Sequence, residues 1–253
     1  MFTEARGLQG QPAAGRRDDP ISRQVVTRLL VVLAAAAGCV DVMAVARLGG
    51  PFASVITGNL IQLGRGLAIP NWHLAATAST AVASYAVGVA IGTLVLRGSL
   101  PGWRLRTSVV TSVELLLLVG VLVGWLTTSG SPGTGQAIFL LALAAAAMGL
   151  QSAATLSTGV PEASTTYMTG ALTSFMRAVA TDPHLNLIGA AGGGAARLLS
   201  LFAGALIGAL ILRFAPSWTP VFPVVLVAGT VVLAAALGPW KSTKFRSGGK
   251  DSR

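Results

Sequence analysis

Charge is what this chain has least of: only 10% of its 253 residues are Asp, Glu, Lys or Arg, against about 25% in soluble domains. That shortage excludes an ordinary water-facing surface. A single cysteine, Cys39, excludes an intramolecular disulfide and any cysteine-cluster metal site. Ala36-Ala37-Gly38-Cys39 has the look of a lipoprotein cleavage box, but the apolar run continues past Cys39 and a long tail precedes it. The thiol reads instead as a small buried group packing one helix on another. The two histidines, His73 and His184, fall in predicted loops without metal-ligand spacing. No Ser–His–Asp set, phosphate-binding loop or CxxC occurs. The sequence therefore predicts no metal, no cofactor and no enzymatic activity. Residues 1–24 lack the layout of a cleaved signal peptide, and Arg16-Arg17 lacks the apolar follow-on of a twin-arginine signal.

What is present is apolar length. Fifty-three per cent of residues are hydrophobic, and runs of about twenty recur, each able to cross a hydrocarbon core of about 30 Å. Six are expected: 25–47, 72–96, 107–128, 136–156, 197–214 and 220–238. The five tryptophans (72, 103, 125, 218 and 240) sit at their ends, where an indole suits the headgroup layer. The expected fold is an all-α integral membrane protein, one polytopic domain over 25–240 between a disordered basic tail (1–24) and a second basic tail (241–253).

The net charge of +10 gathers at those tails, with Arg6, Arg16, Arg17, Arg23 and Arg28 at the start and five Lys/Arg after residue 240. Without interleaved aromatics this predicts contact with anionic lipid at the cytoplasmic face, not with nucleic acid.

The chain also repeats itself about 110 residues on. Ala34–Asp41 (AAAAGCVD) lines up with Ala144–Gln151 (AAAAMGLQ), and Thr57-Gly58-Asn59-Leu60 with Thr169-Gly170-Ala171-Leu172. Gly88–Trp103 and Gly204–Trp218 share both glycines, an Ile, two Leu, an Arg, the Pro and the Trp. The expected copies are about 25–128 and 134–240. Each contains a short, polar, glycine-broken segment, 52–69 and 162–180, too weak to read as an independent crossing. Interrupted segments at matching places in two halves point to a transport-type site. If both re-enter, Arg97, Arg104, Arg106, Arg177 and Arg197 lie on the side of the tails and Arg47, Arg65 and Arg213 opposite. If both cross, the loop count reverses to three against five. The positive-inside rule favours re-entry, hence six crossings, two short broken helices and both termini cytoplasmic. Three crossings per half make the second copy upside down.

Ser84, Gly88 and Gly92 form a small-residue stripe repeated by Ser200, Gly204 and Gly208. Such stripes let helix backbones approach in lipid, within one chain or between two copies of a homo-oligomer. Gly120 and Gly124 read the same way. The run 189–194 (GAAGGG) reads as a flexible link before a span.

GCVDVMAVARLGGPFASVITGNLIQLGRG, followed in the second half by AMGLQSA and STTYMTGALT, resembles the signature of the YoaK-like bacterial membrane proteins over about residues 28–240. The resemblance implies a multi-pass protein of the bacterial inner membrane. It implies no established substrate or activity.

Asp41 is the sharpest candidate for chemistry, because a carboxylate inside a span costs about 2.5–3.5 kcal/mol and normally faces a protein interior or a water-filled cavity. The competing reading is a structural carboxylate bonded to N–H groups of the broken segment. Gln151, flanked by Ser152 and with Thr155 a turn on, is its expected repeat mate. Thr57, Gly58, Asn59 and Gln62 in the first half, and Ser164, Thr165, Thr166, Thr169 and Gly170 in the second, offer backbone breaks and polar groups to a solute or to the break itself. Glu114 is expected to snorkel towards Arg106, or else to act as a second protonatable site. The sequence thus predicts a small-solute transporter, taking a proton or cation with its solute, with a midplane site between the copies. The alternative is a scaffold or sensor.

Overall fold

The computed structural model describes residues 21–160, 168–181 and 193–238. Thr165, Ser164, Thr166, His184, Trp240 and the two tails lie outside them. The described residues form eight helices in chain order: α1 (Arg23–Arg47), α2 (Ile56–Ala68), α3 (Trp72–Leu96), α4 (Leu105–Leu126), α5 (Thr134–Ser157), α6 (Met168–Thr181), α7 (Gly194–Phe214) and α8 (Val221–Leu237). A single 3₁₀ turn, Pro216–Trp218, precedes α8. Among the described residues there is no strand. Six helices are long and apolar enough to cross a membrane. The other two, α2 with 13 residues and α6 with 14 among the described residues, reach only about 20 Å at 1.5 Å per residue, short of a full crossing.

Local chemistry sets these boundaries. Ser22 caps α1 by accepting from the Val25 N–H, and Asn71 caps α3 by accepting from the Leu74 N–H. Past Arg47 the backbone turns at Gly49 and Gly50, with φ of 107° and 98°, a region open to glycine at little cost. The break therefore lies there, ahead of Pro51. Gly58, Gly64 and Gly66 all sit inside the continuous helix α2.

The turn returns α2 to the side it left. Gly49 packs on Thr77 and His73 in the first turns of α3, so the end of α1 and the start of α3 share one face. Arg47 reaches Ser131 between α4 and α5 (3.4 Å), and the Trp125 indole N–H donates to the Pro216 carbonyl (2.9 Å), bringing the ends of α4 and α7 to the same face. Helices α1, α4 and α7 thus run one way and α3, α5 and α8 the other. Each half makes three crossings, and the second is inverted.

At the centre lie α1 and α5, where 67% and 72% of the apolar window is buried, against 22–33% in the other four. Each packs in parallel on the second crossing of the opposite half, α1 on α7 and α5 on α3. The glycines decide how closely. A Cβ on Gly38 would collide with the Leu201 carbonyl, and one on Gly149 with the Tyr85 carbonyl. A Cβ on Gly204 would strike Ala35, and one on Gly88 would strike Ala146. These contacts map onto each other with offsets of 111 residues between α1 and α5 and 116 between α3 and α7. The stripes expected on α3 and α7 are thus spent inside the chain, joining its halves.

This geometry moves the sequence alignment by one residue. Gly38 matches Gly149, so the counterpart of Asp41 is Ser152, while Gln151 corresponds to Val40. Four consecutive alanines in each copy allow either register, and only the backbone contact of the following glycine separates them. The tryptophans also divide. Trp72 and Trp218 are exposed, whereas Trp103 and Trp125 are fully buried. The Trp103 indole donates to the Ser108 hydroxyl at 2.9 Å, as Trp125 does to Pro216, which satisfies a buried donor.

Candidate functional site

Asp41 lies three-quarters of the way along α1 and is buried. Both its carboxylate oxygens accept from one residue: the Ser54 N–H at 2.8 Å and the Ser54 hydroxyl at 2.6 Å. Ser54 precedes Val55, the N-cap of α2, whose own side chain makes no capping bond. The carboxylate thus faces the positive end of the α2 dipole, a favourable place for an anion. Two charge-assisted bonds hold it there, each worth about 1.5–3 kcal/mol.

The other polar residues of the first broken segment also turn back on the chain before it. Asn59 is fully buried; its amide donates to the Phe52 carbonyl (2.7 Å) and its oxygen accepts from the Phe52 N–H (2.8 Å). Gln62 donates to the Gly50 carbonyl at 3.4 Å. Together they tie residues 50–54 to the underside of α2, which presents Leu60, Ile61 and Leu67 outward. Thr57 is exposed on the first turn, and a Cβ on Gly58 would make only ordinary contact with the Phe52 ring.

Above this framework is a cleft of about 420 Å³. Gly38, Asp41, Val42, Val45 and Ala46 of α1 form one wall, and Leu201 and Ala205 of α7 another. Phe52 and Val55 enter from the approach to α2, and Met168 and Thr169 from the start of α6. The two short helices, one from each half, therefore bring their N-terminal ends to the same space. Asp41 is its one charged lining residue among those described.

A second cleft, also about 420 Å³, occupies the matching seam between α3 and α5. Val89, Ala153, Leu156 and Ser157 repeat the positions of Ala205, Val42, Val45 and Ala46. Ser152, the counterpart of Asp41, accepts from the Tyr85 hydroxyl at 2.7 Å. The charged residue in this second cleft is Arg97. Gln151 does not meet Asp41; it is buried and donates to the Leu33 carbonyl at 3.1 Å, pinning α5 to α1. Thr169 is exposed at the start of α6, Gly170 is half-buried beside it, and Thr155 caps its own backbone at Ser152.

Glu114 departs from its expected place. It is fully buried on the face of α4 that also carries Thr111, Leu118 and Trp125, towards α5 and α8. Neither carboxyl oxygen has a hydrogen-bond partner among the described residues. Arg106, its expected partner, donates instead to the Arg97 carbonyl at 2.6 Å, because the guanidinium can satisfy a terminal carbonyl of α3 without leaving the helix-end layer. Among the described residues no group of three or more His, Cys, Asp or Glu is placed to hold a metal.

Sequence reasoning passed over Ser54 and Phe52, which organise the site. A signal for Ser54 existed: three residues before each Thr-Gly pair stands a hydroxyl, Ser54 in one copy and Thr166 in the other.

Six long apolar helices, two short helices whose N-terminal ends line one cleft, and glycine seams between inverted halves define a polytopic α-helical membrane protein. Within that class the chain belongs to the family described as Protein of unknown function (DUF1275), whose model matches residues 29–233. No curated protein and no solved structure matches it.

Proposed function

We propose that the protein is a small-solute transporter of the bacterial inner membrane, without catalytic activity, whose solute site is the Asp41 cleft. One observation carries the reading: a buried carboxylate lines a cleft where the short helices of two inverted halves converge. Intramembrane carboxylates in such places serve ion and solute pathways. Asp41 would couple a proton or cation while the halves rock about the glycine seams. The arginines in and near the helix ends support cytoplasmic termini, with Arg97, Arg104, Arg106, Arg177 and the buried Arg197 assigned to the side of α1's start and Arg47, Arg65 and Arg213 to the opposite one. The bilayer and a small solute are then the partners, without nucleic acid.

A specific observation favours the second reading, a scaffold or sensor. Asp41, Asn59 and Gln62 are all hydrogen-bonded to the loop before α2, as packing devices would be. A comparative metabolite and ion survey of membrane vesicles with and without the protein separates the two. A transporter changes the steady-state content of at least one solute. A scaffold leaves every solute unchanged.

A further inference from the structure

The Asp41 cleft also specifies what kind of solute suits it. Its walls are almost wholly apolar: Val42 and Val45 from α1, Phe52 and Val55 from the approach to α2, Met168 from α6 and Leu201 from α7. Against them stands one charge, the Asp41 carboxylate, and no Lys, Arg or His lines the space among the described residues. Each carboxylate oxygen has two acceptor sites, and Ser54 occupies one on each. The Ala53 N–H also bears on the carboxylate, which leaves an acceptor site for a donor arriving from the cleft. The Phe52 ring at the same rim is a further surface suited to a cation.

The matching cleft between α3 and α5 sharpens the point. It shares four lining positions and its size, yet it carries Arg97 and no carboxylate. The copies share the arginine, Arg97 matching Arg213, and differ in the carboxylate, Asp41 in one and Ser152 in the other. The attraction for an organic cation therefore belongs to the first cleft, which alone of the two is lined by a carboxylate. An inorganic cation is a poor match for the first, since the apolar walls offer almost no oxygens to replace its hydration shell.

Resting on the transport reading of this cleft, we infer that its solute is a small lipophilic organic cation, a protonated amine on an apolar body, whose ammonium pairs with Asp41.

The test is saturable binding to the full-length protein in lipid nanodiscs of radiolabelled phenethylamine, with phenethyl alcohol and phenylacetate as neutral and anionic controls. Three proteins are compared: the unaltered chain, Asp41→Asn and Ala205→Phe. Asp41→Asn retains an oxygen to accept the Ser54 N–H, and Ala205→Phe adds bulk to the opposite wall of the cleft while keeping Asp41, so one probes charge and the other space. The expected result is saturable binding of the amine alone, weakened about thirtyfold or more by Asp41→Asn, as for removal of one partner of a buried charge pair, and lost in Ala205→Phe. Equal binding of amine and alcohol, or amine binding indifferent to Asp41→Asn, overturns the inference by making the cleft a merely apolar pocket. No amine binding, with the vesicle survey finding an Asp41-dependent solute of another class, overturns it while leaving transport standing. Asp41-dependent amine binding with no solute flux upholds the inference and removes transport instead.

Discussion

Ser54 closes on Asp41 twice, through its hydroxyl and through its backbone N–H, at 2.6 and 2.8 Å. This residue ties the start of α2 to the one charge that lines the cleft among the described residues. The carboxylate is therefore both a fastening and an open acceptor. Ser54→Ala separates those roles, since it removes the hydroxyl bond and leaves the N–H bond. It should lower stability by about 1.5–3 kcal/mol, the worth of a hydrogen bond to a charged group. The loss should appear as a lower Tm in detergent, with insertion retained. An unchanged Tm would show that Asp41 is held by something other than Ser54.

The seams between the halves predict paired behaviour. Gly38→Val and Gly149→Val each drive a side chain into the backbone of the neighbouring helix, at Leu201 and Tyr85 respectively. Overpacking of this sort costs about 1–3 kcal/mol or more, and the two variants should be impaired to a similar degree. Gly64→Ala enters open space on α2 and should be neutral or slightly stabilising, since alanine is the better helix former by about 1 kcal/mol. Folded yield by fluorescence-detected size exclusion reads all three. Strong impairment at Gly38 with tolerance at Gly149 would break the pseudo-symmetry.

Glu114 makes a prediction of opposite sign. A buried polar group without a hydrogen bond costs about 1–3 kcal/mol, so Glu114→Met, with a side chain of similar length, should raise the Tm. A fall would reveal a partner beyond the described residues.

Topology can be read with single cysteines in a Cys39→Ser background. Cysteines at Gly50 and Pro70, on either side of α2, should both label with a membrane-impermeant maleimide from the outer face. A cysteine at Ser99, between α3 and α4, should label only from within. Labelling of 50 and 70 from opposite faces would make α2 a crossing and would remove the inversion of the halves.

The sequence made the six crossings legible because apolar length is a property of composition alone. Their observed ends fall within three residues of the expected ones, as at α1 (Arg23 for residue 25) and α7 (Gly194 for residue 197). The short helices were legible too, through Pro51 and the polar residues that no lipid-facing span would carry. What local pattern does not encode is which side chain meets which. The pairing of Asp41 with Gln151 followed four alanines that fit two registers, and only the contact of Gly38 with Leu201 decides between them. Asn59 looked like an open ligand, but its amide is committed to Phe52 by a turn whose shape depends on Gly49 and Gly50. Glu114 and Arg106 are two helical turns apart, within reach on paper. Arg97's carbonyl, brought close by the α3–α4 turn, takes the guanidinium instead.

Flux through the Asp41→Asn variant tests the central claim most directly. Vesicles carrying equal amounts of folded wild-type and variant protein are compared for the solute that the vesicle survey identifies. The account predicts that the variant keeps its abundance and its elution as folded protein while Asp41-dependent flux disappears. Undiminished flux, or collapse of the fold with no folded variant to assay, would contradict it and leave Asp41 as the fastening of α2 alone.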